Sequence, residues 1–147
     1  MANVFDVAKY ILSDVGDIST IKLQKLCYYC QAWNLVWRDA PLFNEDFQAW
    51  ANGPVCDELF QIHKGKFIIG ADNIPDDKLE NNLTSEQILT INTIKEFYGK
   101  YSAAWLSELT HREQPWKETR TKAHVQDGDR CSAIISKELI KNYYSSL

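Results

Sequence analysis

Cys27 and Cys30 stand in C-x-x-C spacing, and His63, His111 and His124 are the chain's three histidines. A C-x-x-C pair suggests zinc binding or thiol redox chemistry. Zinc requires four ligands, and the remaining cysteines, Cys56 and Cys131, stand singly with no histidine at finger spacing. A redox pair opens a helix after a strand, where the helix dipole lowers the thiol pKa. Here the pair falls inside a long apolar helical stretch, so both thiols read as small core residues. The histidines form no H-E-x-x-H pattern, and the glycine signatures of hydrolases, phosphate loops and dinucleotide folds are missing. A Cys–His nucleophile pair stays open, because such partners meet in space rather than in sequence.

The densest polar cluster is "LSELTHREQPWKETR", residues 106 to 120, which brings Glu108, Thr110, His111, Arg112 and Glu113 together. A histidine beside a carboxylate could perform general acid–base work. The structural alternative is that His111 and Thr110 bond open carbonyls at a helix end and Pro115 stops the helix. Trp116 then packs back onto Trp105 and Leu109. The structural reading is preferred: no nucleophile, metal or cofactor site accompanies the histidine, and no catalytic residue, metal or cofactor is expected.

These residues depend on the elements that place them. Val4, Val7, Ala8, Ile11, Leu12 and Val15 give helical spacing over 3–15, and Gly16 supplies a stop. The strongest signal is 20–38, capped by Ser19 or Thr20. Leu23, Leu26, Cys27, Cys30, Trp33 and Trp37 share one apolar arc, while Ile21, Tyr28, Ala32 and Leu35 line much of the other side. Only Gln24, Gln31 and Arg38 remain as a polar strip. A helix apolar nearly all round is a buried one, so 20–38 is expected to be the central spine. A short extended segment is expected over 47–51, a turn at Gly53-Pro54, and a helix from Pro54 to about Lys64. Residues 65–83 are rich in Gly, Asp, Asn and Pro and read as a mobile loop. Thr84 or Ser85 then caps a helix whose face is Ile88, Ile91, Ile94, Lys95 and Tyr98, ended by Gly99. Helices over 102–111 and through Ile134, Ile135, Leu139 and Tyr143 complete the chain. The expected fold is mainly α: a compact multi-helix domain around a buried central helix, with at most a small two-stranded β element.

At 147 residues the chain is expected to form one domain, 1–147, with a core that needs no disulfide or metal. Aromatic residues make up 12%, and large rings serve either cores or interfaces. Sixteen basic against twenty acidic residues give a net charge of −4, without any Lys/Arg-rich block. Nucleic acid is therefore not expected as the primary ligand. The opening "MANVFDVAKYILSD" lacks the basic and apolar regions of a signal peptide, and nothing reaches the length of a membrane span. A cytoplasmic protein with reduced thiols and no membrane partner is expected.

Three ordered blocks, "TIKLQKLCYYCQAWNL", "LFNEDFQAWANGPVCDELF" and "AWLSELTHREQPWKETR", resemble the Panacea antitoxin domain, also called the SocA-type antitoxin or phage-associated protein family. The family positions carried over as structural are Lys22, Gln24, Lys25, Trp33, Trp50, Gly53, Pro54, Thr110, His111, Pro115 and Trp116. The chain departs from the pattern with cysteines at 27 and 30, and with Asn34 where histidine is common. The resemblance spans roughly residues 4 to 143 and implies a non-enzymatic antitoxin that binds and neutralises a cognate protein toxin. One branch of the family instead acts as an adaptor that hands its toxin to a Clp protease; here that would require a second contact surface, such as the acidic stretch from Asp72 to Glu80. A third alternative is a small phage-associated enzyme using His111 with Glu108 or Glu113. Exposed members of the set Trp37, Arg38, Phe43 and Trp116 are the expected toxin contacts.

Overall fold

A computed structural model describes residues 1–147. Its centre is α2 (Thr20–Arg38), started by the Ser19 hydroxyl, which accepts a hydrogen bond from the Lys22 amide at 3.1 Å. Every residue from Leu23 to Ala32 is buried. A run of that length passes all sides of a helix, so α2 is enclosed by protein and forms the expected spine. Two residues of the polar strip are enclosed too, against the expectation of a solvated edge. Gln24 and Gln31 are each 1% exposed, because their amides serve backbone that neighbouring segments leave unpaired. Gln31 accepts from the Leu42 amide and donates to the Phe43 carbonyl, both at 2.7 Å.

The remaining helices wrap the spine. They are α1 (Val4–Val15), α3 (Asp57–His63), α4 (Ser85–Tyr98), α5 (Ala103–Arg112), α6 (Gln114–Lys122) and α7 (Lys137–Ser145). α1, α4, α5 and α7 pack directly on α2. α1 opens with a reciprocal cap between Asn3 and Asp6 and ends at Gly16, whose φ of +79° suits glycine. Thr84 caps α4 in the same reciprocal way with Gln87.

Five short strands make up the β content, more than the single pair expected. β2 (Phe47–Trp50) lies between β3 (Gly53–Val55) and β5 (Ile134–Ile135) in an antiparallel sheet, with Ala49 opposite Pro54 and Phe47 opposite Ile135. β1 (Ile18–Ser19) pairs with β4 (Ile68–Ile69). Two helix boundaries are corrected by this arrangement. Pro54 sits in an edge strand, where a missing amide donor is tolerated, and α3 starts three residues later at Asp57. Ile134 and Ile135 pair with β2 rather than opening the last helix, which starts after the Ser136 cap.

The 65–83 stretch is tied down rather than mobile. Ile69 and Ile74 are buried, and two 3-10 turns, Ala71–Asn73 and Asp76–Lys78, follow β4. Lys9 donates to the Ala71 carbonyl and Asn3 to that of Lys78, while the Asp6 carboxylate accepts from the amides of Glu80 and Asn81. Pro115 does stop α5, but it also lies in the first turn of α6, where proline is favoured. Glu113 is the hinge residue between the two helices, with extended φ/ψ of −94° and 143°. No helix is long and apolar enough to cross a membrane.

Candidate functional site

Three segments far apart in sequence meet beside the first half of α2: the β2–β3 hairpin, the α5–α6 corner and α2 itself. Lys25 occupies the junction. Its side chain is 1% exposed and its Nζ donates to the Pro54 carbonyl at 3.1 Å. No carboxylate pairs with it, and burial brings its pKa down to about 7. Gly53 makes the junction possible. Its φ is +115°, and a Cβ there would lie 2.7 Å from Lys25 Cε and 2.9 Å from Thr110 Oγ1. Glycine is needed for both the backbone conformation and the space.

Gln24, the neighbour of Lys25, clamps the far end of β3. It accepts from the Cys56 amide at 2.9 Å and donates to the Cys56 carbonyl at 3.1 Å. Its amide nitrogen also lies 3.0 Å from His63 Nε2. Two amide protons serve both acceptors when the His63 ring carries its own proton on Nδ1. Burial, reinforced by the nearby Lys25 charge, lowers the His63 pKa and favours that neutral ring.

The hairpin is held from its other side by α6. Trp116 Nε1 donates to the Trp50 carbonyl at 2.8 Å, and Arg120 Nη1 donates to that of Ala49 at 2.8 Å. Arg120 also reaches the carbonyls of Gln126 and Asp129, and its guanidinium lies over the Trp116 ring. The opposite face of the corner carries His111, whose ring stacks on Trp116 with centroids 4.1 Å apart and 9° between planes. His111 is thus a stacking partner and not the helix cap expected. Its Nε2 is buried without a partner, and burial lowers its pKa. Thr110 does bond a carbonyl, that of Ser107 at 2.7 Å.

Neither carboxylate considered beside His111 hydrogen-bonds to it, although the nearby Glu108 charge partly offsets the burial that lowers the His111 pKa. Glu108 is exposed and makes no hydrogen bond to it. Glu113 is buried, and one oxygen accepts from the hydroxyls of Tyr29 and Tyr144, each at 2.7 Å, with Tyr28 extending the network. Desolvation raises the Glu113 pKa despite both bonds. Cys27 and Cys30 are free, fully buried thiols whose pKa values burial pushes up. No group of three or more His, Cys, Asp or Glu side chains is placed to hold a metal ion.

Residues 23–117 match the family model described as "Antitoxin SocA-like, Panacea domain". The chain belongs to this family. No curated protein and no solved structure matches it. The matched region contains nearly all of α2, the β2–β3 hairpin, α5 and the start of α6, and leaves α1, most of α6, β5 and α7 outside it. An antitoxin family implies a cognate toxin as partner, and such families are typically non-enzymatic.

Within this Panacea domain the four aromatic and basic residues expected at a toxin interface divide. Trp37 is 44% exposed. Arg38 is half-buried, its guanidinium turned to the Glu86 carbonyl and carboxylate, with Nε unpartnered. Phe43 has no exposed surface, since it packs on Phe47 in the core, and Trp116 is 7% exposed between His111 and Arg120. Neither can touch a partner without rearrangement. Trp105, expected beneath Trp116, instead stacks on Tyr101 at the surface, and Leu106 and Thr110 form the inward face of α5. Sequence reasoning did not single out Arg120. Its spacing of four from Trp116 places both on one helix face, and that spacing was the available signal.

Proposed function

We propose that this Panacea-family chain, acting as one folded unit, neutralises its cognate protein toxin by direct binding through the surface at the C-terminal end of α2. The reading rests on membership of the antitoxin family over residues 23–117. The motif residues Gln24, Thr110 and Trp116 support a non-catalytic role, because they, like Arg120, are engaged with the chain's own backbone. Trp37 is the anchor: an exposed indole whose ring lies 5.3 Å from that of Trp33, itself fixed by a bond to the Tyr98 hydroxyl. A rigidly backed aromatic with an arginine beside it is the composition that dominates interface energetics.

The test is co-expression with the toxin encoded beside this gene. Wild-type chain restores growth and co-purifies with the toxin. Trp37→Ala with Arg38→Ala keeps the fold and weakens the complex by about tenfold to a hundredfold. Undiminished rescue by that variant removes this surface, and a toxin that never co-purifies removes direct binding. Toxin that disappears only when a Clp protease is present identifies delivery for degradation instead.

A further inference from the structure

Beside Lys25 a cleft of about 870 Å³ opens between the start of α2, the β2–β3 hairpin, α3 and residues 130–132. That volume lies within the range of small-molecule sites. Four cations line it, Lys25, Lys64, Lys66 and Arg130, against one carboxylate, Asp57. This local excess of positive charge occurs in a chain whose net charge is −4. None of the four cations belongs to an ion pair. Lys64, Lys66 and Arg130 are exposed, whereas Lys25 is enclosed. Its ammonium carries three donors and uses one, on Pro54. A cation held inside protein without a counter-charge is unfavourable, and an anion entering the cleft supplies that charge. Trp50 and Phe60 form an aromatic wall of the same cleft, with centroids 4.9 Å apart.

We propose that this cleft binds a small phosphate-bearing ligand, with the phosphate held by the exposed Lys66 and Arg130 and its charge balanced by the enclosed Lys25 in the cleft wall. A planar ring attached to that phosphate lies against Trp50 and Phe60. The site is separate from the Trp37 surface and does not depend on the toxin-binding reading.

Calorimetric titration of the purified chain with pyrophosphate, AMP and ATP tests the assignment, with sulfate at matched ionic strength as control. Pyrophosphate and ATP bind, and sulfate binds far more weakly. ATP tighter than pyrophosphate marks a contribution from the ring, and equal affinities assign the site to free phosphates. Lys66→Ala with Arg130→Ala changes only exposed side chains and weakens binding by at least about tenfold, as loss of charge-assisted hydrogen bonds requires. Lys25→Met weakens the interaction while the far-ultraviolet circular dichroism is retained. Absence of heat with every phosphate at millimolar concentration overturns the proposal. So does affinity that is unchanged in the Lys66/Arg130 variant or matched by sulfate. Growth rescue in the co-expression experiment is read separately, so either idea can fail alone.

Discussion

Two buried ionisable groups at the spine helix, Glu113 and Lys25, are surrounded differently. Glu113 reaches Tyr29 of α2 and Tyr144 of α7, so two hydroxyls donate to one carboxylate oxygen inside a cluster of rings. Lys25, one helical turn before Tyr29, has a single carbonyl and no opposite charge. The carboxylate is held as buried polar groups usually are, by partners from its own chain. It ties α2, α7 and the α5–α6 hinge into one unit. The ammonium is left with unused donors beside an open cleft. A group satisfied internally serves the architecture, and one left incomplete next to solvent is available to a ligand.

Several substitutions sharpen or break that contrast. Gly53→Val has the largest effect, about 3 kcal/mol or more by urea unfolding, since a side chain there collides with Lys25 and Thr110 at positive φ. A near-neutral result removes the packed junction. Tyr144→Phe follows, costing about 2 kcal/mol because Glu113 is left buried with one donor fewer. If that loss equals the loss in Glu113→Gln/Tyr144→Phe relative to Glu113→Gln, the hydroxyl and the carboxylate are not coupled.

Stability should also depend on pH in an unusual direction. The folded Lys25 has a pKa near 7 against an ordinary value of 10.5, so between these values the unfolded chain holds the extra proton. Stability therefore rises with pH from about 7, by about 1 kcal/mol per pH unit. Above about pH 9 the rise is reversed, because the buried thiols and tyrosines have raised pKa values and ionise more readily when unfolded. Chemical denaturation from pH 6.5 to 9 at fixed ionic strength, within roughly the window set by these groups, reads the slope. A flat profile shows that Lys25 is better solvated than its burial implies. The smallest change belongs to Lys25→Met: unfolding free energy at neutral pH within about 1 kcal/mol of wild type, on the stabilising side, with the alkaline rise gone. Marked destabilisation would mean that the ammonium–Pro54 bond outweighs the cost of burying the charge.

What could be read from the sequence was local. The enclosed helix over 20–38, the caps at Ser19 and Thr84, and the extended segment at 47–50 all follow from periodicity and capping chemistry within a few residues. The errors share a different origin. Gln24 and Gln31 look like a solvated strip, yet their partners lie at Cys56, Leu42 and Phe43, and no spacing within α2 reveals them. Pro54, Ile134 and Ile135 carry helix-compatible neighbours, and pairing with β2 decides their state. Pro115 both ends one helix and lies in the first turn of the next, and its local context signals only the ending. At the junction, Lys25, Gly53, Pro54, Thr110, Trp50 and Trp116 of the set carried over by resemblance come into contact. That Gly53 yields space to an unpaired lysine depends on three-dimensional contact and could not be inferred from spacing.

Tyr144 has a further consequence for how the molecule is made. It lies in α7, translated about a hundred residues after α2. Until α7 leaves the ribosome and docks, Tyr28, Tyr29 and the Glu113 carboxylate lack their outer wall. The nascent chain thus carries this tyrosine cluster open to chaperones and proteases until α7 settles into place.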